Sequence, residues 1–342
     1  MKDRWALAMA CFVTALYSFL LVSHFLFSDK DLAREREVRT RAQASIMKEK
    51  EETVLNNLNA RPELVGVLSL GFTAVFFLGL TLDAALAMRK WRGLPLQAGS
   101  LPGPAVLWGG RDVLQALLFL FFMEGCLFLI QGGASFFLGL DGQVPDGVLL
   151  LNSLARDLGV ACFVIWIVQK RYGQTLADLG FRVRGLWSGI RSGILAYIAV
   201  IPPLLVCFMI LAVVLRFFSI EPEPQDVVQI YLKDSTQPYL LVLTLFVAVV
   251  GPMMEELFFR GFAYAGLRKR FGVWPGAVLS SAVFAALHMH WVAFFPIFFL
   301  GMFLAALYET SGSLVPSITA HALHNTVMVG VMLGFRSLSS GH

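Results

Sequence analysis

Residues 253–262 read MMEELFFRGF, and they sit inside a strongly apolar run. Three ionisable side chains, Glu255, Glu256 and Arg260, stand where hydrocarbon is expected. A charged side chain at the centre of a membrane helix costs about 2.5–3.5 kcal/mol, so three without partners would cost about 8–10 kcal/mol. A chain that keeps them there must pair them, and intramembrane charges of this kind mark function.

The composition supports the membrane setting. Apolar residues make up 57% of the 342, charged residues only 15%, and mean hydropathy is +0.72. A soluble domain carries roughly 25% charge. The net charge of +4 is too small to read as a nucleic-acid footprint. Cys11, Cys126, Cys162 and Cys207 are widely separated in apolar runs. They have neither metal-ligand nor disulfide-framework spacing and read as buried hydrophobes.

Apolar runs long enough to span a bilayer lie near residues 5–27, 64–88, 112–138, 147–169, 192–218 and 239–262, with shorter ones near 274–289, 291–308 and 314–334. The first run is long for a signal peptide and no small-residue cleavage site follows it, so a retained anchor is expected. No alternating pattern favours a barrel. The expected fold is all-α, a polytopic transmembrane helical bundle of about eight or nine spans. Residues 1–110 are expected to form an N-terminal membrane-anchor region with a charged helical insert (28–62). Residues 111–342 are expected to form the membrane-embedded core, with its motifs in 253–325.

Basic residues cluster in 89–111, 170–191 and 268–270, whereas 139–150 has none and 219–238 has only Lys233. Basic loops face the cytoplasm, and with Lys2 and Arg4 this places the N-terminus inside. The segment 28–61 resists, because its eight basic and seven acidic residues would lie outside. It reads as a polar helix with a weak apolar stripe (Leu32, Ile46, Leu55, Leu58). The segment 172–189 mixes apolar residues with Arg182, Arg184 and Trp187 and reads as an interfacial helix or a loop.

Glu256 and Arg260 are i,i+4 neighbours that can pair, whereas Glu255 is rotated by about 100° to face elsewhere. Four histidines, His288, His290, His321 and His324, lie in the apolar runs that follow. Phe284 and His288 share a helix face, as do His321 and Asn325.

These strings, E-E-x-x-x-R (Glu255, Glu256, Arg260), F-x-x-x-H (Phe284, His288) and H-x-x-x-N (His321, Asn325), resemble in order and spacing the CPBP family, the CAAX-protease and bacteriocin-processing (ABI) proteins. The resemblance covers roughly residues 170–335, with LADLGF (176–181) similar to a common lead-in. It implies an intramembrane endopeptidase of the glutamate type. Carried onto this chain, Glu255 is the general base that activates water and His288 helps hold or deprotonate that water. His321 and Asn325 donate to the oxyanion, and Glu256 with Arg260 supports Glu255. Oxyanion donors in a low-dielectric site contribute about 3–4 kcal/mol each to lowering a barrier. The implied substrate is a membrane-associated or prenylated, CAAX-type peptide or lipidated protein. Membrane lipids are the other partner, nucleic acid is not one, and neither metal nor organic cofactor is required. A bacterial cytoplasmic membrane is the expected location.

Three other readings compete. Glu255, His288 and His321, with His324, offer a zinc donor set, although the chain has no HExxH. A scaffold or immunity role would use the same fold without catalysis. Asp83, Glu124, Arg156 and Asp157, with Pro202-Pro203 breaking a span, would suit a transporter.

Overall fold

The structure, a computed structural model, describes residues 4–26, 30–92, 105–138, 145–182, 185–220, 225–232 and 237–339. All regular structure among these residues is helical. The helices are α1 (Arg4–Leu26), α2 (Lys30–Asn59), α3 (Pro62–Trp91), α4 (Gly110–Leu138), α5 (Asp146–Trp166, extended by a widened turn Ile167–Arg171) and α6 (Leu186–Phe217). They continue with α7 (Asp226–Leu232), α8 (Pro238–Phe271), α9 (Val273–Ala286), α10 (Phe294–Ser311) and α11 (Leu314–Ser339). Seven of them, α3, α4, α5, α6, α8, α10 and α11, are long and apolar enough to cross a bilayer. Shorter apolar helices cover Ala6–Ser18 and Val273–Ala286. The chain is therefore an all-α polytopic membrane protein, and the nine apolar runs each correspond to a helix. Lys2, Arg184 and the charges at 221, 223, 233 and 234, on which part of the orientation was read, lie outside the described residues.

The described residues fall into two compact units. One draws on residues 1–70, 117–145 and 330–342. In it Phe12 meets Phe122 edge-on at 5.1 Å, and Tyr17 meets Phe121 at 6.0 Å, which fastens α1 to α4. The charged segment forms α2, as its composition led us to expect. Its packed face is Val54, Asn57 and Leu58, whereas Ile46 and Leu55 of the expected stripe are exposed. Asn57 donates to the carbonyl of Leu338 at 2.7 Å, satisfying a group in the last turn of α11.

The second unit draws on residues 71–116 and 146–329 and holds all the motif residues. Pro202 and Pro203 do not break α6, which runs through both. Proline strands the carbonyl four residues back, here that of Ile198. The chain makes room for this carbonyl at Gly79 of α3, where an added Cβ would stand 2.6 Å from Ile198 O and 2.8 Å from the Pro202 ring. Small residues that let membrane helices approach this closely are a recurrent packing device.

One end of this unit is polar and basic, with Arg111, Lys170, Arg171, Arg268, Lys269 and Arg270. Asp112 accepts from the N–H of Gly109 at 3.0 Å, capping the start of α4, and also binds Arg171 (2.6 Å) and Tyr172 (2.7 Å). Burial, then the hydrogen bond to Asp112, pushes the Tyr172 phenol above the ordinary tyrosine range, so it stays a neutral donor. Trp108 stacks on Phe262 and donates to its carbonyl at 2.9 Å. The segment from 173 to 182 is a loop rather than an interfacial helix. Its Leu179 is fully buried, Gly180 has φ of +92°, and its carbonyls accept from Tyr308 (3.2 Å) and Leu314 (2.9 Å). The LADLGF string thus ties together the ends of α10 and α11.

From this end α9 runs inward and α10 returns. At 1.5 Å per residue, the 14 residues of α9 reach only about 21 Å, short of the ~30 Å hydrocarbon core. The turn at 287–293 therefore lies at membrane depth. Glu255, counted back from Phe271 along α8, lies about 24 Å from the same end. Helix lengths alone bring the α9–α10 turn level with the glutamates.

Replacing Gly79 by alanine should lower stability by about 1–3 kcal/mol, because the obstacles are a backbone carbonyl and a proline ring. Gly71→Ala on the same helix, where nothing lies within 4 Å of the new methyl, should leave the melting temperature unchanged or slightly raised. Thermal unfolding of the two variants in one detergent makes the comparison.

Candidate active site

α8 is not a uniform helix. Widened, π-helical stretches at Phe246–Val250 and Leu257–Tyr264 flank a short α-helical segment, Gly251–Glu256. Such insertions recur at functional sites, and here the intervening segment carries both glutamates. α5 packs against it and against the following widened stretch, with Val160, Ala161, Val164, Ile167 and Val168 as its buried side chains.

Glu256 and Arg260 form the expected ion pair, Oε1 to Nη1 at 2.7 Å, with both side chains wholly inaccessible. An ion pair removed from water gains little unless further partners satisfy it. Arg260 has two such partners. Its Nη2 donates to the carbonyl of Gly301 on α10 at 3.3 Å, and its guanidinium lies 4.5 Å from the Phe284 ring centroid on α9, a cation–π contact.

Glu256 also receives His321 of α11. Nδ1 of His321 lies 3.0 Å from Glu256 Oε1, and Nε2 lies 3.6 Å from Glu255 Oε2. One buried imidazole therefore bridges two carboxylates. Since a carboxylate accepts, Nδ1–H is the donor to Glu256 and Nε2 is turned toward Glu255. The two glutamates differ in access: the Glu255 side chain is 30% exposed and the Glu256 side chain 0%. Adjacent identical residues are thus divided into a buried acid and an accessible one.

His288 lies just beyond the last turn of α9. The apolar run 274–289 reads as one helix, but α9 ends at Ala286 and Met289 takes φ of +51°. His288 Nδ1 lies 2.8 Å from the carbonyl of Phe284. A carbonyl can only accept, so the neutral ring has its proton on Nδ1 and its lone pair on Nε2. The Phe284 ring stands edge-on to His288 (4.8 Å) and to His321 (5.8 Å). The aromatic residue of the F-x-x-x-H motif is therefore a wedge touching both histidines and Arg260.

Asn325 donates from Nδ2 to the carbonyl of Val247 at 2.8 Å, in the first widened stretch of α8. His290 accepts from the N–H of Ala293 at 3.1 Å within the turn. His324 turns the other way, edge-on to Tyr197 of α6 at 6.0 Å, with Nδ1 buried and without a hydrogen bond. Arg156 pairs with its neighbour Asp157 at 2.9 Å. Among the described residues no three His, Cys, Asp or Glu side chains converge as a metal-ligand group. Two contributors escaped sequence reasoning. The Gly301 carbonyl has no side-chain signature, and the stranded Val247 carbonyl is visible only through the proline at 252.

The chain's residues 237–327 match the family model described as Rce1-like, Type II CAAX prenyl endopeptidase Rce1-like. The match contains all six charged and polar motif residues and agrees with the CPBP resemblance. No curated protein and no solved structure matches the chain.

Replacing Arg260 by methionine keeps the volume but leaves Glu256 buried without its cation. The expected loss is about 3–5 kcal/mol of stability. It reads out as a large fall in melting temperature or in the amount of folded protein recovered, larger than for Lys269→Met at the exposed basic end.

Proposed function

We propose that this chain, with the Rce1-like signature across residues 237–327, is an intramembrane endopeptidase. Its substrate is a peptide attached to the membrane, of the prenylated CAAX type, cleaved by a water that Glu255 activates. The observation carrying this reading is the contrast between an accessible Glu255 and a fully buried Glu256, both facing His321. Only the accessible carboxylate can meet water and substrate.

In this mechanism Glu255 accepts a proton from water as the oxygen attacks the scissile carbonyl carbon. His288 holds that water through Nε2, whose lone pair is fixed by the Nδ1 bond to Phe284. The carbonyl oxygen becomes an oxyanion. Its donors are His321, which serves Glu256 from Nδ1–H and the oxyanion from Nε2–H only as the imidazolium with both nitrogens protonated, and Asn325, from the amide N–H not used on Val247. Collapse of the tetrahedral intermediate breaks the C–N bond, and the proton held by Glu255 passes to the leaving amine. Glu256 and Arg260 act through His321 and the α8 backbone. No metal or organic cofactor enters these steps.

The cluster of Arg111, Lys170, Arg171 and Arg268 to Arg270 marks the cytoplasmic end. With α1 taken as a span this supports a cytoplasmic N-terminus, and the divergent N-terminus and the general resemblance favour a bacterial inner membrane, with substrate reaching Glu255 from the bilayer.

Glu255→Gln should lower cleavage by about 10²–10⁴-fold while the protein accumulates normally. The measurement is mass-spectrometric cleavage of prenylated and unprenylated peptides in lipid nanodiscs with chelator present. Equal cleavage by wild type and variant, or abolition by the chelator, overturns the glutamate mechanism.

A further inference from the structure

The hydrogen-bond ladder of α8 has a gap one turn ahead of the glutamates. Within the widened stretch Phe246–Val250 the bonding pattern is i to i−5, and the N–H of Gly251 donates to the carbonyl of Phe246. The next donor in that pattern belongs to residue 252 and would serve the carbonyl of Val247. Residue 252 is proline, which has no N–H and whose ring crowds the carbonyl four residues back. Widening the turn relieves the crowding but leaves Val247 without its partner. In a membrane interior a stranded carbonyl must find a donor within the protein. The donor present is the side-chain amide of Asn325, reaching across from α11 at 2.8 Å.

We infer that Asn325 is a positioning residue. It supplies from α11 the hydrogen-bond donor that Pro252 lacks, and so fixes the register of the segment that carries Glu255. A second link from the same helix face supports this role. One turn earlier on α11, His321 binds Glu256, so α11 holds the glutamate segment at both ends, at Val247 before it and at Glu256 within it. The antiparallel order is consistent, because the residue farther along α11 binds the residue earlier on α8. Gly251 and Pro252, which follow this turn, are both buried. The inference rests on the protease reading for its catalytic consequence, but not for the hydrogen bond itself.

The test is a double-mutant cycle on the full chain in nanodiscs, with Asn325→Ala, Pro252→Ala and the two combined. Alanine at 252 restores a backbone N–H. The amide of Asn325 should therefore matter less in that background. Asn325→Ala alone should lower the melting temperature and reduce kcat by about 100-fold or more, because it removes an oxyanion donor as well as the hydrogen bond that positions the Glu255 segment. Pro252→Ala alone should stay close to wild type. In the double variant at least about half of the lost melting temperature should return, with kcat about threefold or more above Asn325→Ala and KM unchanged. Additive losses in melting temperature, with no recovery of kcat, overturn the inference. They would leave Asn325 a role toward the oxyanion alone, which Pro252 does not affect. If Asn325→Ala fails to accumulate, the amount of folded double variant decides: recovery supports the inference and equal absence overturns it. If wild type cleaves no peptide, the protease reading falls, and the melting-temperature cycle still decides the positioning role.

Discussion

The fully buried ion pair between Glu256 and Arg260 is the constraint around which the second unit is arranged. Two charges withdrawn from water each lose several kcal/mol of solvation, and their mutual attraction repays this only with good geometry and additional partners. Those partners come from three other helices. α11 contributes His321, α9 contributes the Phe284 ring and α10 contributes the Gly301 carbonyl. Each can act only at close range, so α9, α10 and α11 must pack tightly around α8. α9 packs extensively against both α8 and α10. An added Cβ on Gly301 would stand 3.0 Å from Ser281 and 3.3 Å from the Phe284 ring.

The same arrangement makes the two glutamates unequal. Glu256 takes the close contacts to Arg260 and to one nitrogen of His321, and Glu255 faces the second nitrogen at 3.6 Å and keeps exposed surface. His288 reaches this level because α9 is too short to cross the bilayer. Non-helical backbone is tolerated at membrane depth where it is buried in protein or lines a wet cavity.

Irregularity in α8 serves the site in the same way. Two widened stretches bracket the glutamates, and the first adjoins Pro252. Proline in a helix interior removes a hydrogen bond and adds a clash. In α6 Gly79 leaves room beside the Pro202 ring and the Ile198 carbonyl, and in α8 a side chain from α11 donates to the Val247 carbonyl.

Much of this was legible in the residues themselves. Run length and hydropathy identify the helices, because each span must satisfy its own backbone and cover its own surface in lipid. The i,i+4 spacing identifies the Glu256–Arg260 pair and the Phe284–His288 face, because neighbours on one helix are set by its pitch. Spacing does not carry across helices, and there the tertiary structure decided. It set which glutamate is buried, which nitrogen of His321 meets which carboxylate, and that His324 faces Tyr197 instead. It also ended α9 at Ala286 and carried α6 through its two prolines. Local sequence determines the face a side chain occupies. What that face meets depends on helix rotation and depth, which only the packing of the other helices sets.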